Sequence, residues 1–255
     1  MPSSSEVVDH RAWNAFLEGN VIIGDDGINR IAYGKVSAAD RRRLDEYLVY
    51  LSEVRISDYA RDEQRAYWIN FYNALTVDVV LDHYPVESIR DISISPGFFA
   101  VGPWGKKLVS VEGEALSLDD IEHRILRPIW KDPRIHYAVN CAAVGCPKLM
   151  SQAFTASNGD ALLEQGARDF INNERGARVS ADGHLTASSI YDWFQEDFGG
   201  DESGVIAHLR AYANPALAAK LDGITRVSAF EYDWTLNDAA PREAPVQGEV
   251  GSTNR

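Results

Sequence analysis

The sequence predicts an α+β fold: a mainly helical single domain around a small, largely antiparallel sheet. Three observations predict it. Helix-period segments fill the first third of the chain. One of them, from Tyr67 to Leu81, is apolar almost all round, which places it at the centre of the fold. The strand-like runs are short and scattered among helices, joined by hairpins or long crossings rather than by a regular βαβ alternation. With no linker or internal repeat, residues 9–237 read as one globular domain, helical over 9–84, and 238–255 as a polar, disordered tail.

Taken in order, "DHRAWNAFLEG" is a short amphipathic helix. "SAADRRRLDEYLVYLSEV" follows an N-cap at Ser37, with Leu44, Leu48 and Leu51 at helical spacing. The buried helix "DEQRAYWINFYNALTVDVVLDHYP" stops at Pro85. "SPGFFAVGPWGKK" is a loop whose Phe98, Phe99 and Trp104 suit a lid or a pocket wall. "KLVSVEGEALS" is a hairpin turning at Glu112-Gly113, and "SLDDIEHRILRP" a helix capped by Ser117 with Asp120 and stopped by Pro128. "RIHYAVNC" reads as a strand, "GDALLEQGARDFINNERG" as a helix and "ARVSADGHLTA" as a hairpin turning at Asp182-Gly183. "DWFQEDFGG" and "ESGVIAHLRAYANP" are helical, and "ITRVSAFEYDW" is a closing strand.

Composition bounds the function. Apolar residues make up 45% of the 255 and charged residues 25%, so a sizeable core needs no covalent staples. A net charge of -13 argues against nucleic acid and anionic membrane surfaces, both of which require a basic footprint. No apolar run is long enough for an integral membrane segment, and the first residues lack the pattern of a signal peptide; the chain could equally be an exported one with its signal removed. There is no GxGxxG, Walker A, CxxC, HExxH or GxSxG pattern, and no cofactor or metal is called for.

The informative stretch is "RIHYAVNCAAVGCPKL", which holds both cysteines, Cys141 and Cys146, with His136 five positions before the first. If 135–141 is extended, His136 and Asn140 share one face and Cys141 the other, which makes Cys141 a packing residue. Gly145 permits a positive φ, and Pro147 suits a first helical position, so Cys146 reads as a helix N-cap. Unpaired N–H groups and the helix dipole would there favour its thiolate. The same residues also admit a Cys141–Cys146 disulfide of about 2 kcal/mol, plain packing, or a zinc half-site with no evident second half.

Asn70 and Asn73, one turn apart on the buried helix, would bind a substrate amide, orient a histidine or pin loop backbone; Trp68 shares that helix. Glu122 and His123 cannot pair directly on a helix, but either could reach the cysteines. Asp197 and Asp233 could orient a histidine, and Asp233 beside Trp234 could equally tie down the terminal strand.

The blocks "YWINFYNALTV", "SLDDIEHRILR", "DPRIHYAVNCAAVGCPKL", "WFQEDFG" and "FEYDWTLN", spanning roughly residues 60–237, resemble in order those of the domain of unknown function 547 family. Members commonly read "CGAxSCP"; here Ala142 stands in the glycine position and Gly145 in the serine position. The resemblance implies, more remotely, a papain or transglutaminase-like fold. It also implies glutathione-linked chemistry, since eukaryotic relatives are fused to glutaredoxin domains, and export, since bacterial members often are exported. The expected function is that of a cysteine-dependent hydrolase or acyl/thiol transferase acting on an amide, thioester or glutathione-type small molecule or peptide. Catalytic roles fall to Cys146, His136, Cys141, Glu122 and His123, and substrate-binding roles to Asn70, Asn73, Asn140 and Trp68. The alternatives are a non-catalytic binding module and a thiol–disulfide redox protein using Cys141 and Cys146.

Overall fold

A computed structural model describes residues 4–97 and 100–239. The expected tail, apart from Asp238 and Ala239, and the expected Phe98 and Phe99 of the aromatic loop lie outside the described residues. The chain is α+β, with helices predominating. Helix α1 (Arg11–Asn20) leads into the hairpin β1 (Val21–Ile23) and β2 (Asn29–Ile31). Helix α2 (Ala38–Glu53) begins where Ser37 accepts a hydrogen bond from the Asp40 N–H, as its sequence predicts. Helix α3 (Arg61–His83) is buried along most of its length because nearly every face carries an apolar side chain. Tyr67, Ile69, Phe71 and Val80 are among the side chains removed from water. At about 1.5–3 kcal/mol for each large apolar side chain, α3 anchors the core.

The hairpin β3 (Val109–Val111) and β4 (Glu114–Leu116) turns at Glu112 and Gly113, both at positive φ (49° and 86°). The next segment departs from expectation. Ser117 and Asp120 do form the reciprocal cap, but Asp120–Leu126 winds as a π-helix. Pro128 does not stop the helix: it enters the first turn of α4 (Arg127–Trp130), where a missing N–H costs little.

The segment read as a strand is a 3₁₀ helix, Pro133–Tyr137, capped by Asp132 and followed by irregular chain. Its alternating apolar residues are buried on different sides. Ile135, Ala138 and Val139 join the α3 core, and Tyr137 joins a second core with Phe170, Tyr191 and Phe198. That second core lies among α5 (Gly159–Ile171), α6 (Ile190–Trp193), α7 (Glu202–Tyr212), α8 (Pro215–Leu221) and a three-stranded sheet. In the sheet, β5 (Ala177–Val179) pairs antiparallel with β6 (Leu185–Ser188), and β7 (Ala229–Glu231) runs parallel to β6. Among the described residues the strands thus form three small sheets rather than one.

No helix follows Pro147, so Cys146 is not an N-cap. The left-handed residue of the loop is Ala142 (φ 59°), not Gly145. A Cβ on Gly145 would lie 2.6 Å from the backbone nitrogen of Asp233, so glycine serves close approach there. The approach is a ladder: Val144 N–H donates to Thr235 O, Gly145 N–H to Asp233 O and Asn237 N–H to Ala142 O. The chain after β7 thereby clamps the cysteine loop.

Candidate active site

The cysteine loop has little regular structure to satisfy its backbone, and side-chain amides do that work instead. Asn73 donates to Ala138 O and accepts from Asn140 N–H, each at 2.8 Å. Asn140 donates to Pro147 O and accepts from Ala142 N–H. Asn70 grips Phe154 through both its backbone groups. These amides pin loop backbone, and none of them lines the cleft described next. Trp68 is buried against Tyr67 and Phe71, also away from the cleft.

The pinned loop holds its two sulfurs 2.9 Å apart, unbonded. The Cys141 N–H donates to the Cys146 sulfur at 3.0 Å, and the Tyr232 hydroxyl lies 3.0 Å from the Cys141 sulfur. Burial opposes ionisation of Cys146, but the thiol and N–H of Cys141 and the Tyr232 hydroxyl outweigh it and lower its pKa. Cys141 is the converse. Its hydrogen bond to the Cys146 sulfur, then burial, push its pKa well up. The pair is therefore polarised: the thiolate is favoured on Cys146 and the thiol on Cys141. Exposure runs the other way from the sequence expectation. Cys146 is buried at 4%, and Cys141 is the more accessible.

Both sulfurs open into a cleft of about 170 Å³ walled by aromatic rings, among them Trp104, Trp193 and Trp234. Glu122, His123 and His136 line it too, brought there by the π-helix and the 3₁₀ helix. The wide π-turn presents the neighbours Glu122 and His123 to one cavity. His136 is buried between carboxylates: Nε2 is 2.7 Å from Asp197 and Nδ1 is 3.8 Å from Glu122. It stacks on Phe194 at 4.6 Å. Burial raises the Asp197 pKa, but hydrogen bonds from His136 and Arg127 prevail and hold it at about 2. Burial first and the Glu122 carboxylate second push the pKa of the buried Tyr72 hydroxyl well up. His123 pairs with Arg127 at 3.2 Å rather than with a sulfur.

Of the residues assigned to catalysis from sequence, the cleft thus gathers Cys146, Cys141, His136, Glu122 and His123. Asp197 meets His136, whereas Asp233 caps the terminal chain by accepting from Thr235 N–H. Tyr232 was missed. Its only signal was membership of the block "FEYDWTLN", and its role depends on a contact across 91 residues.

Residues 56–171 match the model of a family described as protein of unknown function, DUF547. Over these residues, somewhat under half of the chain, the sequence is similar to the DUF547 family. The match takes in α3, the π-helix and the cysteine loop, while Asp197 and Tyr232 come from the chain beyond it. No curated protein and no solved structure matches the chain. Among the described residues, no three or more His, Cys, Asp or Glu form a group that could hold a metal ion, and no helix is long and apolar enough to cross a membrane.

Proposed function

We propose that the protein is a thiol–disulfide oxidoreductase acting on small disulfides. The observation that carries this reading is the 2.9 Å contact between a sulfur whose thiolate is favoured and one whose thiol is favoured, both open to one cleft. Disulfide exchange needs an attacking thiolate and a resolving thiol within bonding reach. The Cys146 thiolate attacks one substrate sulfur, breaks the substrate disulfide and expels a first thiolate. Cys141 then gives up its proton and attacks the Cys146 sulfur of the mixed disulfide, expelling the second. The balance is two protein thiols and one disulfide giving one protein disulfide and two small thiols. The Tyr232 hydroxyl is placed to donate to the sulfur as charge moves between the pair.

Acyl transfer by Cys146, the leading expectation from sequence, has less support in the geometry. It needs a base at the sulfur. His136 has one nitrogen on Asp197 and the other facing Glu122, and among the described residues the sulfurs' hydrogen-bond partners include no histidine.

The test is to equilibrate the reduced protein with oxidised dithiothreitol and map the products by mass spectrometry. A reversible Cys141–Cys146 disulfide, lost in Cys146→Ser and in Cys141→Ser, is expected. Slow alkylation of both cysteines with no intramolecular disulfide would overturn the reading.

A further inference from the structure

The cleft's remaining walls say which disulfide would fit. Among the described residues its lining contains no lysine or arginine, but it does contain the carboxylates Asp119 and Glu122. Lys107 is engaged with Asp120, and Arg127 with Asp197 and Glu196. His136 and His123 both lie against carboxylates. The lining thus holds fixed carboxylates and no lysine or arginine, and a thiolate favoured on Cys146 adds to the negative side. An anionic ligand would meet repulsion from Asp119 and Glu122 with no lysine or arginine on the lining to pair with.

The same walls carry an aromatic corner. Trp104 meets Trp234 at 5.7 Å and 69°, Trp193 meets Trp234 at 5.6 Å and 26°, and Tyr232 meets Trp234 at 4.6 Å and 53°. Trp193 is 46% exposed, unusual for so large an apolar side chain. Angled tryptophans beside carboxylates form a receptor for an ammonium group, because the ring faces are electron-rich. One of these rings already takes a cation: the Arg90 guanidinium, which is not a cleft wall, sits 5.2 Å from the Trp234 centroid.

We infer that the cleft binds an ammonium-bearing small molecule, its cationic group among Trp104, Trp193 and Trp234 against Asp119 and Glu122. For the reacting end this rests on the thiol–disulfide reading: the substrate is then an amino-disulfide whose sulfurs reach the Cys141/Cys146 pair. A dicarboxylate disulfide is disfavoured.

Two measurements on the full chain separate the two ideas. The first is oxidation of the reduced protein by cystamine, by 3,3′-dithiodipropionate and by neutral bis(2-hydroxyethyl) disulfide. Rates are taken at 0.5 M salt and divided by those of a free small thiol. Cystamine should exceed the dicarboxylate at least tenfold. Trp193→Ala and Asp119→Asn should each shrink that ratio several-fold. A ratio near one, or one that both variants leave intact, overturns the inference, because only a diffuse negative field would survive those changes. The second is binding of phenyltrimethylammonium against 3-phenylpropionate, read by calorimetry, with no redox step. Saturable binding of the cation alone, weakened in Trp193→Ala, supports the inference even if no disulfide reacts, in which case the oxidoreductase reading alone falls. No binding of the cation overturns the inference even if the neutral disulfide oxidises the pair.

Discussion

The backbone N–H of Cys141 points at the sulfur of Cys146 from 3.0 Å, while the sulfur of Cys141 lies 2.9 Å from the same atom. One residue thus gives its neighbour two hydrogen bonds and so decides which of two buried thiols ionises. A hydrogen bond to the charged form favours it, and here the donors outweigh burial. The first prediction concerns this asymmetry. Alkylation of Cys146 by a small reagent such as iodoacetamide should titrate with an apparent pKa below that of a free thiol. Cys141 should remain unmodified until well above it, although Cys141 is the more accessible. Peptide mapping after brief labelling across pH 5–9 reads the order directly. Labelling of Cys141 first at neutral pH would reverse the assignment and make exposure the controlling factor.

Tyr232 supplies the remaining donor. Tyr232→Phe keeps the ring that packs on Trp234 and removes only the hydroxyl 3.0 Å from the Cys141 sulfur. The pair should then hold negative charge less well. A rise of about one pKa unit, equivalent to about 1.4 kcal/mol, corresponds to tenfold less thiolate at a pH below the transition. The expected outcome is therefore a several-fold slower alkylation at pH 6–7 with little change in melting temperature. An unchanged rate would show that the hydroxyl serves packing alone.

Asn73 connects the core helix to the site. Its amide satisfies Ala138 O and Asn140 N–H, and it is buried. Asn73→Ala strands both groups, each at about 1–3 kcal/mol, so roughly 2–6 kcal/mol of stability should go. The loop should also loosen the sulfur pair and abolish the pH offset between the two cysteines. Asn70→Ala should cost similar stability through Phe154 while leaving that offset in place. Urea unfolding and the labelling order, measured together, distinguish the two asparagines.

These contacts mark what the sequence could and could not show. Helices α1 to α3 and the hairpins at Glu112-Gly113 and Asp182-Gly183 follow from local signals: apolar periodicity, the Ser37 cap and residues that accept positive φ. The site segment 133–150 does not. Its alternation of Ile135, Tyr137 and Val139 imitates a strand, yet it arises because the segment lies between two cores and feeds residues to each. Its backbone is satisfied by Asn73, Asn140 and the chain at 233–237, partners distant in sequence and invisible to any periodicity. Cys141, Cys146 and His136 were legible as reactive types close together. Their pairing with Tyr232 and Asp197 was not, although Asp197 could be named as a candidate to orient a histidine. Even Gly145 had a legible type and a misread reason: it admits the backbone of Asp233 rather than a left-handed turn.

The last prediction concerns acid. Burial lowers the pKa of His10 to about 4 and that of His208 to about 4, against 6.5 when unconstrained. His10 sits against Tyr47 at 2.7 Å, and His208 against Tyr137 at 2.8 Å. Between pH 6.5 and 4 the unfolded chain binds protons that the folded chain refuses, so each histidine's share of stability is complete above 6.5 and lost as pH falls toward 4. Asp78 acts in the opposite sense. Burial raises its pKa to about 6, so the folded state gains as pH falls from 6 toward 3.8. Two histidines against one aspartate leave a net loss on the order of 2 kcal/mol between pH 7 and pH 5. Urea unfolding at the two pH values measures it. Asp78→Asn should steepen the decline by removing the opposing proton uptake, and His208→Gln should flatten it. Stability that is flat or rising between pH 7 and pH 5 would mean that the two histidines are protonated in the folded protein.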